Sequence, residues 1–255
     1  VIIENHGKPF RINHRRIGEY LNTSVFKDYF GKQSKRDLNK PIDKLDPKTA
    51  KFKYHLLTKN KVNLNILNGI TVSAWVKPIS LSSDIGDIVS KYNRPEGGFS
   101  LTRYLGHALF FVNSNTYYLY AHNVFEEGVW THIVYTANNS TPGSTAIISY
   151  YNGSLLSNTT HNIDINVTDY PLFIGGKGHY NSYHDGYIDD IRIYDRVLSA
   201  SEVSELYNKN DVNDNLVAHW KFDEKEGSIV EDSSVNNNSG TIYNAEWVAD
   251  SPLGF

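Results

Sequence analysis

The chain has 255 residues, 40% of them hydrophobic and 13% aromatic, with 18 Tyr; this is enough for one large domain or two small ones and too apolar for disorder throughout. With no Cys it has no disulfide, no thiolate metal site and no cysteine nucleophile, so any metal must be held by oxygen or imidazole. The net charge of −3 hides a division: residues 1–60 hold 14 Lys/Arg against 6 Asp/Glu, a balance of +8, and residues 61–255 hold 11 against 22, a balance of −11.

No apolar run reaches the roughly 18 residues that a membrane-spanning helix needs, and no charged-then-apolar leader is present. The expectation is a soluble product with no membrane span and no retained signal peptide. The absence of Met even at position 1 is what a processed chain, or a piece of a longer one, would show.

Residues 1–50 are basic, polar and poorly periodic, with Pro9, Pro41 and Pro47 breaking any pattern. They read as an extended arm, with one short helix around Ile17–Tyr29. The arm either docks on the acidic body of the same chain or is drawn to an anionic assembly partner through residues 1–60.

From Asn68 onward short β-rich runs alternate with turn clusters. Ile70–Val76 (ITVSAWV) alternates strictly and stops at Lys77-Pro78, predicting a half-buried strand with Trp75 near the core. Further strands are expected at Asp87–Tyr92, Phe99–Arg103, Ala108–Val112, Tyr117–His122, Trp130–Ala137, Ala146–Tyr151, Leu172–Ile174 and Gly186–Tyr194. Asn152-Gly153 follows Tyr150-Tyr151 and predicts a hairpin, because both residues tolerate positive φ. Ser199–Tyr207 (SASEVSELY) predicts a short surface helix that Ser199 and Glu202 cap, with Val203 and Leu206 on one face. The fold class is therefore an all-β antiparallel sandwich with one short helix and a basic N-terminal arm.

Five segments, ITVSAWVKP (70–78), GVWTHIVY (128–135), YYNG (150–153), LFIG (172–175) and YIDDIRIYDRVLSASEVSELY (187–207), occur in the order seen in laminin-G-like, concanavalin-A-like jelly-roll domains. The resemblance covers roughly residues 50–207 and implies a jelly-roll sandwich. Leu216–Trp247 resembles the opening strand of the same family, yet here it comes last. This gives three domain readings for residues 211–255: completion of the chain's own sandwich of residues 51–210, a strand given to a neighbour, or the start of a truncated next domain. An uncompleted sheet edge is an aggregation hazard, so some completion is expected.

The resemblance also implies a structural calcium between the opening loop and the last strand, with Asp189 and Asp232 as partners. The carboxylate-rich segments around Asp185–Asp190 and Asp223–Asp232, with Asn236 and Asn238 nearby, suit a hard cation that takes oxygen ligands. The competing reading makes these residues solvated turn and cap groups. Related jelly-roll hydrolases use two spaced glutamates on one strand. Here Glu126 and Glu127 are adjacent and would point to opposite faces of a strand, so catalysis is not expected. No zinc-type His spacing, Gly-x-Ser-x-Gly elbow, phosphate loop or nucleic-acid motif occurs.

Tyrosines in or beside expected loops, with Arg94, suit stacking on sugar faces and bonding to hydroxyls. Arg94, Tyr180 and Tyr183 are the candidate ligand-binding residues. Seven Asn-x-Ser/Thr sequons permit secretion without demonstrating it. The expected function is a non-catalytic module that binds a glycan or glycoprotein outside a cell or on a virion. The alternative is a structural or decoration protein locked into an assembly by its arm and terminal strand.

Overall fold

The structure, a computed structural model, describes residues 55–58, 64, 66–81, 85–93, 96–113, 118–176 and 182–252. The basic arm, and the helix expected over Ile17–Tyr29, lie outside them. In chain order the strands are β1 (His55–Thr58), β2 (Gly69–Pro78), β3 (Ile85–Asn93), β4 (Gly97–Tyr104), β5 (His107–Val112), β6 (Tyr118–Ala121), β7 (Thr131–Thr141), β8 (Ser144–Tyr151), β9 (Ser154–His161), β10 (Phe173–Ile174) and β11 (Gly186–Tyr194). The helix α1 (Ala200–Tyr207) follows, then β12 (Leu216–Trp220), β13 (Ile229–Val230) and β14 (Gly240–Tyr243).

These strands form two antiparallel sheets, one of eight strands in the order β13-β14-β1-β10-β3-β4-β5-β6 and one of six in the order β12-β11-β2-β7-β8-β9. Runs of consecutive hairpins, β3-β4-β5-β6 and β7-β8-β9, are joined to strands distant in sequence at β14-β1, β1-β10, β10-β3, β11-β2 and β2-β7. The C-terminal segment pairs within its own chain in both sheets, β12 with β11 and β14 with β1.

Strand alternation sends Ile70, Val72, Ala74 and Val76 of β2, Ile133, Tyr135 and Ala137 of β7, and Ile191 and Ile193 of β11 into one core with Phe99, Leu101, Phe110 and Val112 of the other sheet. Each large apolar side chain buried there contributes on the order of 1.5–3 kcal/mol. Trp220 is fully buried, and its Nε1 donates to the carbonyl of Asn238 at 2.9 Å, fastening the C-terminal segment to the core.

Strand β2 differs from its expectation. It is buried on both faces, with Thr71, Ser73 and Trp75 as covered as the core positions between them. The reason is α1, which lies on the outer face of the six-stranded sheet. A second core of Val134, Tyr150, Tyr194, Leu198, Val203, Leu206 and Val212 joins the helix to that face. Trp75 belongs to this layer, its ring stacked 5.6 Å from that of Tyr207.

The helix starts where its capping box predicts. Ser199 accepts from the backbone N–H of Glu202, and the Glu202 carboxylate accepts from the backbone N–H of Ser199 at 2.8 Å.

Candidate functional site

With α1 seated on the six-stranded sheet, the outer face of the eight-stranded sheet is the broad face on which no helix lies among the described residues. Register identifies which side chains it presents. In β4, Phe99 and Leu101 turn inward, so Ser100 and Thr102 turn outward. Thr102 faces Asp87 of β3 on one side and Leu109 of β5 on the other, and Leu109 faces Tyr120 of β6. Ser100 likewise lies between Ser90 and Phe111. At about 4.8 Å per strand, the row from Asp87 to Tyr120 spans about 14 Å.

The two ends of the row differ in chemistry. At the inner end one oxygen of Asp87 accepts from Thr102 Oγ1 at 2.6 Å and from Ser100 Oγ at 3.3 Å, and the two hydroxyls lie 2.9 Å apart. Charge-assisted bonds of this kind fix all three side chains in one arrangement. Asp87, Ser90, Ser100 and Thr102 are buried and form the floor of the face. Towards the β6 edge the side chains become half-buried or exposed and aromatic. The Tyr120 ring lies 4.9 Å from His107 and 4.4 Å from His122, and Phe111 lies 6.4 Å from Tyr92.

Tyr183 is brought to the inner end of this row. Its segment runs parallel to β3, with a bridge between Asp87 and Tyr183 and a hydrogen bond from Asp87 N to Ser182 O at 2.9 Å. Gly86 makes that approach possible, since a Cβ there would stand 2.9 Å from the Tyr183 carbonyl oxygen. Beneath it His184 is fully buried, and burial followed by the charge of Arg103 pulls its pKa down to about 3, so it is a neutral packing group. Arg94 and Tyr180 lie outside the described residues. Glu126 and Glu127 are exposed in the loop between β6 and β7, where Glu127 accepts from Leu81 N at 2.7 Å.

Asp189 and Asp232 have protein partners of their own. Asp232 Oδ1 accepts from the backbone N–H groups of His219 and Ser234, both at 2.8 Å; Oδ2 accepts from Asn238 N and Ser234 Oγ, both at 2.7 Å. Four donors on one carboxylate organise the 232–238 turn and occupy the lone pairs a cation would need. Asp189 accepts from Ser251 Oγ and from the N–H of Asp190, each at 2.9 Å. Burial pushes its pKa up to about 6, those two bonds oppose the rise, and the carboxylates of Asp190 and Asp223 add to it. Among the described residues no group of three or more His, Asp or Glu side chains is placed to hold a metal. The donor set around Asp189 and Asp232 does not fit the six to eight free oxygens calcium takes.

Residues 52–204 match a laminin G family described as the concanavalin A-like lectin/glucanases superfamily, over more than half of the chain. The chain belongs to this superfamily. Among solved structures, this concanavalin A-like chain is similar to a candidate carbohydrate-binding protein from Bacteroides ovatus ATCC 8483, at 16% identity and a TM-score of 0.59, covering 78% of this chain and 60% of that one. It thus spans three fifths of that protein's length. It is also similar to the receptor-binding domain of botulinum neurotoxin type G, at 15% identity and TM-score 0.45, covering 66% and 49% of the two chains. A third is domain 4 of AbnA, an extracellular arabinanase from Geobacillus stearothermophilus solved with arabinotriose, at 23% identity and TM-score 0.43, covering 55% and 67%. Among curated proteins nothing matches the chain.

The Asp87–Ser100–Thr102 row and the His107–Tyr120–His122 cluster were not singled out by sequence reasoning. Each residue is ordinary in its own strand, and the alternation that could mark them is broken: Ser100 lies between Phe99 and Leu101, but Thr102 is followed by Arg103 and Ser90 by Lys91.

Proposed function

We propose that this chain is a non-catalytic recognition module that binds a glycan, free or on a glycoprotein, across the outer face of the eight-stranded sheet. The observation that carries the reading is the division of labour between the sheets: α1 occupies the outer face of one, and the other carries a hydrogen-bonded polar floor that ends in an aromatic rim. Sugars present C–H faces to flat rings, and the aromatic rim is complementary to them, while the buried polar floor fixes the strands that carry the rim. Within the row Asp87 is the one carboxylate. The acid–base pair that glycoside hydrolysis requires is not assembled among the described residues of this face. Membership of a superfamily named for lectins as well as glucanases favours the reading by analogy. Display outside a cell or on a virion is the setting in which such a module works.

The test is a glycan-array screen of the full chain, repeated with calcium and with chelator, followed by titration of Tyr183→Ala and Tyr120→Ala. The expected result is specific binding that either variant weakens at least about tenfold, the loss of roughly one good contact. Binding that both folded variants retain in full would move the site off this face. No binding by the folded wild-type chain would replace recognition with the assembly role, in which residues 1–60 and the terminal strands dock on a partner.

A further inference from the structure

The His107–Tyr120–His122 cluster at the β6 edge has a polarity that one hydrogen bond sets. The backbone N–H of Asn123 donates to His107 Nδ1 at 2.9 Å. A nitrogen that accepts holds its lone pair in the ring plane, so the imidazole proton is on Nε2. His107 therefore presents a donor to the face and no lone pair for a metal. The three rings form a triangle: the Tyr120 centroid is 4.9 Å from His107 and 4.4 Å from His122, and the imidazoles stand edge to face at 5.4 Å. His107 and Tyr120 are half-buried and His122 is exposed, so the cluster forms a ledge at the sheet margin.

We propose that this ledge is a subsite for the acetamido group of an N-acetylhexosamine; the inference rests on the glycan-recognition reading and names the sugar class it favours. A directed N–H calls for an acceptor, and an aromatic face beside it calls for an apolar group within a few ångströms. An acetamido group supplies both, a carbonyl oxygen and a methyl group on the same planar unit. A hydroxyl at that position supplies an acceptor without the methyl. A carboxylate or sulfate would satisfy the donor, but the balance of −11 over residues 61–255 opposes an anionic sugar. The sugar ring then extends from the ledge towards Leu109 and Phe111 on the outward side of β5.

The experiment titrates the full chain with paired oligosaccharides that differ only at C2, 2-acetamido against 2-hydroxyl, in both gluco and galacto configurations. A de-N-acetylated member and a uronate-bearing member complete the panel. Wild-type protein is expected to prefer the acetamido partner about tenfold, the worth of one good hydrogen bond with its apolar contact. His107→Phe keeps a ring and loses the donor, so the preference should collapse towards one while weak binding of the hydroxyl partner persists. His107→Gln keeps an amide N–H and should restore part of it. Equal affinity for both partners in wild type overturns the subsite and leaves glycan recognition standing, as does preference for the uronate or a preference unchanged in His107→Phe. A folded wild-type chain that binds no member of the panel overturns the recognition reading and the subsite with it.

Discussion

His219 Nε2 lies 2.6 Å from Asp190 Oδ1, across the pairing of β12 with β11 and beneath the layer that α1 covers; the same oxygen receives Arg192 Nε at 3.1 Å. All three residues are buried. Burial alone would raise the Asp190 carboxyl, but the His219 hydrogen bond and the Arg192 charge outweigh it and hold the carboxyl below its ordinary value. Asp190 also has a φ of +44°, a left-handed conformation that Asn tolerates as well as Asp. Asp190→Asn therefore keeps the backbone and removes only the charge, leaving buried Arg192 with the exposed Asp211 carboxylate, 3.5 Å from its Nη1, as its remaining counter-charge. The expected loss is about 3 kcal/mol, read by urea denaturation at pH 7. Because the folded value is depressed, this contribution is present above the unfolded value near ~3.9 and fades as pH falls through the folded one. The variant's stability should be flatter than wild type at the acid end. A loss under ~1 kcal/mol would show that the cluster is not an energetic anchor.

A second pH effect has its own window. His132 is buried on the outer face of β7, its Nε2 2.9 Å from Ser73 Oγ, with the Trp75 ring 5.0 Å and the Tyr207 ring 6.0 Å away. Burial pulls its pKa from 6.5 down to about 4; the nearby Asp190 opposes the fall and Arg192 assists it. The unfolded chain therefore binds more protons than the folded one between those values, and stability must drop as pH falls from 6.5 towards 4. The size is on the order of 3 kcal/mol for this residue. His184 acts in the same direction, lowered to about 3. Asp189, raised to about 6, is protonated more readily in the fold and offsets part of the loss. Denaturation midpoints at several pH values should decline across this window, and His132→Gln should decline less steeply. A variant as steep as wild type would assign the effect elsewhere.

The fold was legible because its signals are local and ordered. Alternation in ITVSAWV, the Asn152-Gly153 turn and the Ser199/Glu202 capping box each describe a few adjacent residues, and the five family segments put them in sequence. Trp75 was harder to read. Thr71, Ser73 and Trp75 look like the mixed face of a half-buried strand, and what covers them is a helix more than 120 residues later in the chain. The candidate site was hidden for the same reason. Asp87 and Thr102 meet across a strand pair, and Tyr183 reaches Asp87 only because Gly86 leaves room for its carbonyl oxygen. Tyr183 could be singled out as a loop aromatic, whereas a serine and a threonine inside a strand show no such mark. Asp189 and Asp232 were marked by the family resemblance and by the carboxylate-rich segments around them, yet neither signal shows that Asp232 already has four donors.

That saturation makes a prediction about calcium. A cation bound at 100 times its Kd would raise stability by about 2.7 kcal/mol. With the Asp232 oxygens committed to the 232–238 turn, melting temperatures in millimolar calcium and in chelator should coincide. Asp232→Ala should cost about 2–4 kcal/mol in both conditions, because it strands the buried N–H groups of His219 and Asn238. A calcium-dependent rise in melting temperature that Asp189→Asn or Asp232→Asn abolishes would restore the metal site.

The turn between β8 and β9 is tied to the helix layer through Gly153. Asn152 and Gly153 have φ of +46° and +77°, the left-handed pair expected for a two-residue hairpin. A Cβ on Gly153 would come within 2.9 Å of Tyr207 Cβ at the end of α1. Gly153→Ala therefore faces backbone strain and a steric clash together, and relief comes only by lifting the turn or displacing Tyr207 from Trp75. The expected cost is about 2 kcal/mol, with a change in near-ultraviolet circular dichroism as the Trp75–Tyr207 stack loosens. Asn152→Ala meets the same φ requirement without the clash, although it also removes the carbonyl oxygen that accepts from His132 N at 2.9 Å. It should destabilise the hairpin while leaving the aromatic signal closer to wild type. If Gly153→Ala leaves both stability and the aromatic signal unchanged, the turn is not held against the helix, and α1 packs on the sheet independently of it.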